Sequence, residues 1–241
     1  MTYLASRLFG TPLLIHRPKL DVILSVVGQR IGMADMPSMP TMDMAVYQRP
    51  PAASAPDGIA VISIHGSLVK RSLGMEAASG LTSYGEISAM LDAALADPQV
   101  SGILLDIDSP GGEASGSFEL ARRVRDVAAV KPVWAVANDA AYSAAYAIAA
   151  SAQRLFVTET GGVGSIGVIA LHVDQSVKDA KDGYRFTAVT AGAHKNDYSP
   201  HEPLSDSAAR AASACGGASR RGRPGASAGA PATTRRPPGE W

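Results

Sequence analysis

One cysteine, Cys215, in 241 residues excludes an internal disulfide and every multi-cysteine metal site. Aromatic residues make up only 5% of the chain, and charged residues only 18%. The 22 basic and 22 acidic residues cancel, which argues against a protein built to neutralise nucleic-acid phosphates or an anionic membrane. Long apolar runs are missing too. The stretch Leu20 to Val27 is interrupted by Asp21 and Ser25, and falls well short of the roughly 20 residues of a spanning helix. No secretory cleavage pattern follows it. The five histidines (His16, His65, His172, His194, His201) show no paired ligand spacing, so zinc chemistry has no support. What remains is enough apolar residue, 46%, for one good-sized domain with appendages.

Composition divides the chain into four zones. Residues 1–32 hold one helix, with Pro18 in its first turn, Leu20, Ile23, Leu24 and Val27 on one face, and Gly28 as a stop. That face needs a neighbour, so the leader is expected to dock on the main domain or on a partner. Residues 33–57 read as a tether, because Pro37 and Pro40 interrupt the spacing of Met33, Met36, Met39, Met42 and Met44. A Met-rich docking strip is the other reading. Residues 206–241 carry Gly, Pro, Ala and Arg without apolar periodicity and predict disorder.

Residues 58–205 carry the fold. Strands are expected at Ile59–Ile64, Gly102–Ile107, Pro132–Ala137, Leu155–Val157, Ile166–Val173 and Arg185–Val189. Helices are expected at Tyr84–Leu95, Ala114–Ala128 and Ala140–Ala150. The alternation predicts an α/β domain with βαβ units and a largely parallel sheet.

Four segments could carry chemistry. Asp108-Ser109-Pro110-Gly111-Gly112 lies where a buried strand ends, the usual ligand-binding end of such sheets. Its glycine amides either form an oxyanion hole or make an ordinary turn. In Asn138-Asp139-Ala140-Ala141-Tyr142-Ser143-Ala144-Ala145-Tyr146, Ser143 is expected in the first turns of a small-residue helix. There it is a candidate nucleophile or merely a packing residue. Gly162-x-Gly164-x-x-Gly167 matches a dinucleotide fingerprint, but a strand rather than a helix follows it, so that reading fails. In Gly192-Ala193-His194-Lys195-Asn196-Asp197, Lys195 could serve as a base only with its pKa brought down, and His194 is its rival.

Taken in order, Asp-Ser-Pro-Gly-Gly, Ala-Ala-Tyr-Ser143-Ala-Ala-Tyr, Gly-Ser165-Ile-Gly-Val and Gly-Ala-His-Lys195-x-Asp-x-x-Ser-Pro resemble the signal peptide peptidase A family of serine peptidases. The chain is most similar to its phage and prophage members, the head (capsid) maturation proteases, and Pro12-Leu13-Leu14-Ile15-His16 is similar to their leader. The resemblance covers residues 10–205. It implies the fold shared by the Clp protease proteolytic subunit and crotonase, with a Ser/Lys dyad and no cofactor. Ser143 matches the nucleophile and Lys195 the base. Gly111 or Gly112, with the amide of Ala144, matches the oxyanion hole. Ser165 matches a serine that steadies the lysine, and Tyr142 stands where a smaller residue is usual. The implied substrates are capsid, portal or scaffold proteins, in the host cytoplasm or prohead, with assembly into a homo-oligomer and no nucleic acid or membrane anchor. The family continues past the Lys195 motif with helices and further sheet. Leu204-Ser205-Asp206 begins that continuation before the Gly/Arg/Pro-rich stretch, which reads as truncation of residues 58–205 at their end. Two alternatives stay open: an inactive prophage product that only binds capsid partners, and a crotonase-like acyl-CoA enzyme.

Overall fold

The computed structural model describes residues 8–9, 11–30, 54–55, 58–71 and 80–221, with side chains left aside at 26–30, 54–55 and 215–221. The Met-rich tether and the stretch from 222 onward lie outside the described residues, apart from Ser54 and Ala55.

Strands β1 (Pro12–Ile15), β2 (Ser54–Ala55), β3 (Ile59–His65), β4 (Ser67–Val69) and β5 (Leu81–Ser83) come first, with helix α1 (Arg17–Arg30) after β1. Helix α2 (Tyr84–Ala96) leads to β6 (Gly102–Ser109) and β7 (Gly111–Glu113). Then follow α3 (Ser117–Ala128), β8 (Val133–Tyr142), α4 (Ala144–Ala149), β9 (Arg154–Val157), β10 (Gly162–Gly164), β11 (Ile169–Ala170), α5 (Ser176–Lys181) and α6 (Asp206–Arg221).

The main sheet has the order β10-β8-β6-β3-β2, with β9 also on β8, and every pairing in it but β2–β3 is parallel. Its centre is aliphatic: Ile62, Ile64, Leu105, Ile107, Val133, Ala135 and Ala137 are fully buried or nearly so. That is the composition of strands covered on both faces. Helices α2 and α3 pack on it through Ile87 and Leu91, and through Leu120, Val124 and Val127. Each such side chain contributes about 1.5–3 kcal/mol by leaving water. Ser83 starts α2 with a capping box: its hydroxyl accepts from the Glu86 amide, and the Glu86 carboxylate accepts from the Ser83 amide. The α/β class and largely parallel main sheet are as expected.

A second sheet, β11-β1-β7-β4-β5, stands at the carboxyl end of the first. Nothing in the periodicity announced it, because its strands are two to four residues long. Tyr84 ties it down: its buried hydroxyl donates to the Glu113 carbonyl at 2.6 Å, and burial, with Glu113 nearby, raises its phenol above the ordinary value.

Several expected elements are corrected. Residues 140–142 continue β8, because β10 pairs with them in parallel, and helix α4 begins only at Ala144. Of the strand expected at Ile166–Val173, only Ile169–Ala170 finds a partner, in β1. Arg185–Val189 forms no strand. It is exposed, Val189 to 96%, and no neighbouring strand meets its amides. Helix α1 runs past Gly28 to Arg30. Of the stretch 206–241 expected to be disordered, residues 206–221 form α6, whose alanines (Ala208, Ala209, Ala211, Ala212 and Ala214) are the strongest helix formers, and the rest lies outside the described residues.

Candidate active site

Where β6 ends, Ser109 is fully buried and holds the next turn together. Its hydroxyl donates to the Gly66 carbonyl at 2.7 Å and accepts from the Gly111 amide at 3.2 Å. The turn therefore feeds β7 rather than a helix. Gly111 lies at φ +93°, and a Cβ there would sit 2.2 Å from the Leu14 carbonyl oxygen, 2.9 Å from that of Tyr142 and 3.1 Å from the Ala144 nitrogen. Only glycine allows three backbone segments to converge so closely.

Strand β8 delivers Ser143 to that point. Ser143 adopts φ 55°, ψ −111°, outside the regions open to ordinary L-residues, and is the N-cap of α4. It is 4% exposed, and its hydroxyl has no hydrogen-bond partner in the described protein. Its amide is spent on the Gly164 carbonyl at 2.7 Å, which locks the turn against β10. The expectation that Ser143 sits within the first helical turns is corrected: it is the sharp corner between strand and helix. Such a corner presents a side chain at the sheet edge while the next amide, here that of Ala144, faces the same space. Tyr142 is accommodated by Gly162, whose Cβ would overlap the phenol oxygen at 1.9 Å, and it stacks on His16 with ring centroids 4.4 Å apart.

The other expected site residues stand apart from this corner. Lys195 and His194 are exposed in a turn closed by the Lys195 amide on the Gly192 carbonyl, at 3.3 Å. His194 Nδ1 lies 2.9 Å from an Asp197 carboxylate oxygen. Ser165 is exposed at φ 54°. Within one protomer, then, Gly111 meets the Tyr142–Ala144 corner, Gly112 packs on the Leu68 backbone beside it, and the amine of Lys195 does not bond the Ser143 hydroxyl. Sequence reasoning missed Leu14, whose carbonyl reaches Gly111. The apolar run Pro12–Ile15 was its signal, read only as a likeness to the family's leader because four residues carry no measurable period.

A cluster of carboxylates borders the corner. Asp106 accepts from Asn138 and lies 3.2 Å from His65 Nε2. Asp108 is held above the ordinary carboxylate value by partial burial first and then by Asp139; His65 opposes this, Asp106 adds a smaller push upward, and Lys19 a still smaller one downward. Ionising it costs stability, a cost absent below the unfolded value of about 3.9 and complete once pH passes the raised one. Asp108→Asn is accordingly expected to melt higher than the parent at pH 7 and level with it at pH 3. Equal melting temperatures at both pH values would contradict this.

A strained, buried serine at a strand-to-helix corner, facing backbone amides at the carboxyl end of a parallel sheet, has the layout of a nucleophile elbow. Residues 125–215 match the model of peptidase family S49. It is 38% identical over 220 residues to the head-tail preconnector protein GP5 of Enterobacteria phage P21, across 85% of this chain and 44% of that protein. It is 34% identical over 222 residues to the capsid assembly protease C of Escherichia phage lambda, across 86% of this chain and 51% of that protein. The chain thus spans about half the length of these curated relatives. A solved enoyl-CoA hydratase/isomerase family member resembles it at 18% identity and a TM-score of 0.35, over 54% of this chain and 51% of that one. The family resemblance drawn from the four motifs is borne out.

Proposed function

We propose that this protein is a serine endopeptidase that processes capsid, portal or scaffold proteins during phage head maturation, in the host cytoplasm or the prohead. The observation that carries the chemistry is the Ser143 hydroxyl: buried, unpartnered, and held at a strained corner beside the Ala144 amide. The substrate class rests on the two phage relatives, a capsid assembly protease and a head-tail preconnector protein. Among the described residues no helix is long and apolar enough to cross a membrane.

The steps follow from the residues. Ser143 Oγ attacks a peptide carbonyl while a neutral amine, that of Lys195, takes its proton. The oxyanion forms against the Gly111–Gly112 loop and the Ala144 amide, where one donor is typically worth about 3 kcal/mol. The lysine then protonates the leaving amine, and later activates the water that releases the acyl group. Ser165 would fix the direction of the amine without adding charge.

Because Lys195 is exposed and Ser143 lacks a partner among the described residues, the reading requires Lys195 to reach Ser143 by assembly. Exposed Val177, Tyr184, Phe186 and Val189, on the segment that carries Lys195, support a second copy as the neighbour. Burial in that contact would also supply the desolvation that brings a lysine toward neutrality. Lys195→Ala is expected to lose at least about 10²-fold in peptide hydrolysis, within the range general-base removal covers, and His194→Ala less than about threefold. Mixing inactive Ser143→Ala and Lys195→Ala chains should restore activity if the pair forms between subunits. Full activity of Lys195→Ala would overturn the assignment of the base.

A further inference from the structure

Strand β1 lies in a slot one strand wide. It pairs antiparallel with β7 on one edge and with β11 on the other. The Ala114 amide donates to the Pro12 carbonyl at 3.2 Å, and the His16 amide to the Pro110 carbonyl at 2.8 Å. The alternation of an antiparallel ladder then makes Leu14 and Gly112, in register between them, the intervening hydrogen-bonded pair. The Leu14 carbonyl oxygen and the Ala144 nitrogen both come within 3.1 Å of the point where a Gly111 Cβ would stand. A leader carbonyl, paired with Gly112 in that ladder, therefore lies beside the amide that follows the strained serine.

The side chains divide as a strand requires. Leu14 joins the main core, whereas Leu13 and Ile15 pack with Leu20, Ile23 and Leu24 of α1 and with Ile169 and Leu171. Much of the apolar cover of the leader is thus its own helix, which would travel with it. His16, stacked on Tyr142, completes the contact beside Ser143.

We propose that β1 is an internal occupant of the peptide-binding groove. A polypeptide substrate enters as an antiparallel strand between β7 and β11 in place of the leader. It carries an aliphatic residue where Leu14 lies, on the acyl side of the bond that is attacked. This rests on the peptidase reading above and adds to it the docking mode, the side-chain preference and a leader that must withdraw. Main-chain pairing supplies general affinity for extended polypeptide, and the buried Leu14 position supplies selectivity.

Two experiments on the full chain test it. Leu13 and Glu113 are the facing non-hydrogen-bonded pair, where side chains approach closest, so Leu13→Cys with Glu113→Cys can form a disulfide that locks the leader in place. Cys215→Ser removes the native thiol. Oxidation is expected to lower kcat/KM at least 20-fold, with recovery on reduction; equal rates in the two states would overturn the proposal. Independently, the unaltered protein is given a quenched fluorescent peptide carrying the sequence of Thr11–Arg17, and the same peptide with aspartate at the position of Leu14. The first should be cleaved after that leucine with at least 20-fold higher kcat/KM, and equal cleavage would count decisively against the groove assignment. The two readings fail separately. Activity lost in Ser143→Ala but indifferent to the lock removes only this inference, whereas activity surviving in Ser143→Ala removes the peptidase reading itself.

Discussion

Ser143→Ala is expected to lower peptide hydrolysis at least about 10³-fold while leaving the fold in place, since removing a nucleophile leaves only the oxyanion hole and binding to act. Ser143→Gly should be equally inactive and yet more stable than the parent. At φ 55°, ψ −111° a residue with a Cβ stores about 1–3 kcal/mol of strain, which glycine relieves. Glycine also costs roughly 0.5–1 kcal/mol of extra chain entropy on folding. The balance favours the variant by about 1 kcal/mol, or about 3 °C in melting temperature for a domain of this size. Thermal melts of the parent and both variants measure this directly. An alanine variant that still hydrolyses peptide, or a glycine variant that melts lower than the parent, would show that the corner is an accident of packing.

Gly111→Ala is expected to damage stability and activity together. Its Cβ would press on the Leu14 and Tyr142 carbonyl oxygens and the Ala144 nitrogen, all backbone atoms that cannot swing aside, and φ +93° is closed to alanine. Withdrawing the leader relieves only the first of these contacts. We therefore expect a loss of about 3 kcal/mol or more in stability, together with at least about 10²-fold in kcat, because the oxyanion donors are displaced. Denaturant unfolding and steady-state kinetics separate the two effects. A variant with parental stability and kcat would mean that the loop and the serine corner do not form one site.

How much of this was legible in the sequence depended on how many residues carried each signal. Strands β3 and β6 were readable because buried strands leave apolar runs, and helix α3 because Ala121, Val124 and Val127 recur on one face. The second sheet was not, because β4, β5 and β7 have three residues each and owe their existence to pairing across the chain. The loop Asp108–Gly112 was recognisable by its glycines, yet the strand that follows it was not, since what makes β7 a strand is Leu14 on one side and Leu68 on the other. Ser143 was identified from its setting in the motif, while its conformation was misread as helical. Alanines on both sides favour helix, and tertiary pairing of Ala140–Tyr142 with Gly162–Gly164 overrode that preference. The leader as a strand escaped notice for a similar reason: four residues become a strand only when a slot is waiting. The residues offered Lys195 and His194 as rival bases, and only the family resemblance favoured Lys195, since its exposed turn gives no local hint of a base.

The whole account depends on a hydroxyl at position 143 that becomes nucleophilic once the protein assembles. The most direct test treats the full-length protein with a fluorophosphonate and locates the adduct by mass spectrometry. The account predicts one phosphonylated residue, Ser143, with labelling that rises with protein concentration and disappears in both Ser143→Ala and Lys195→Ala. An assembled protein that labels at another serine, or labels at Ser143 just as fast without Lys195, would contradict it.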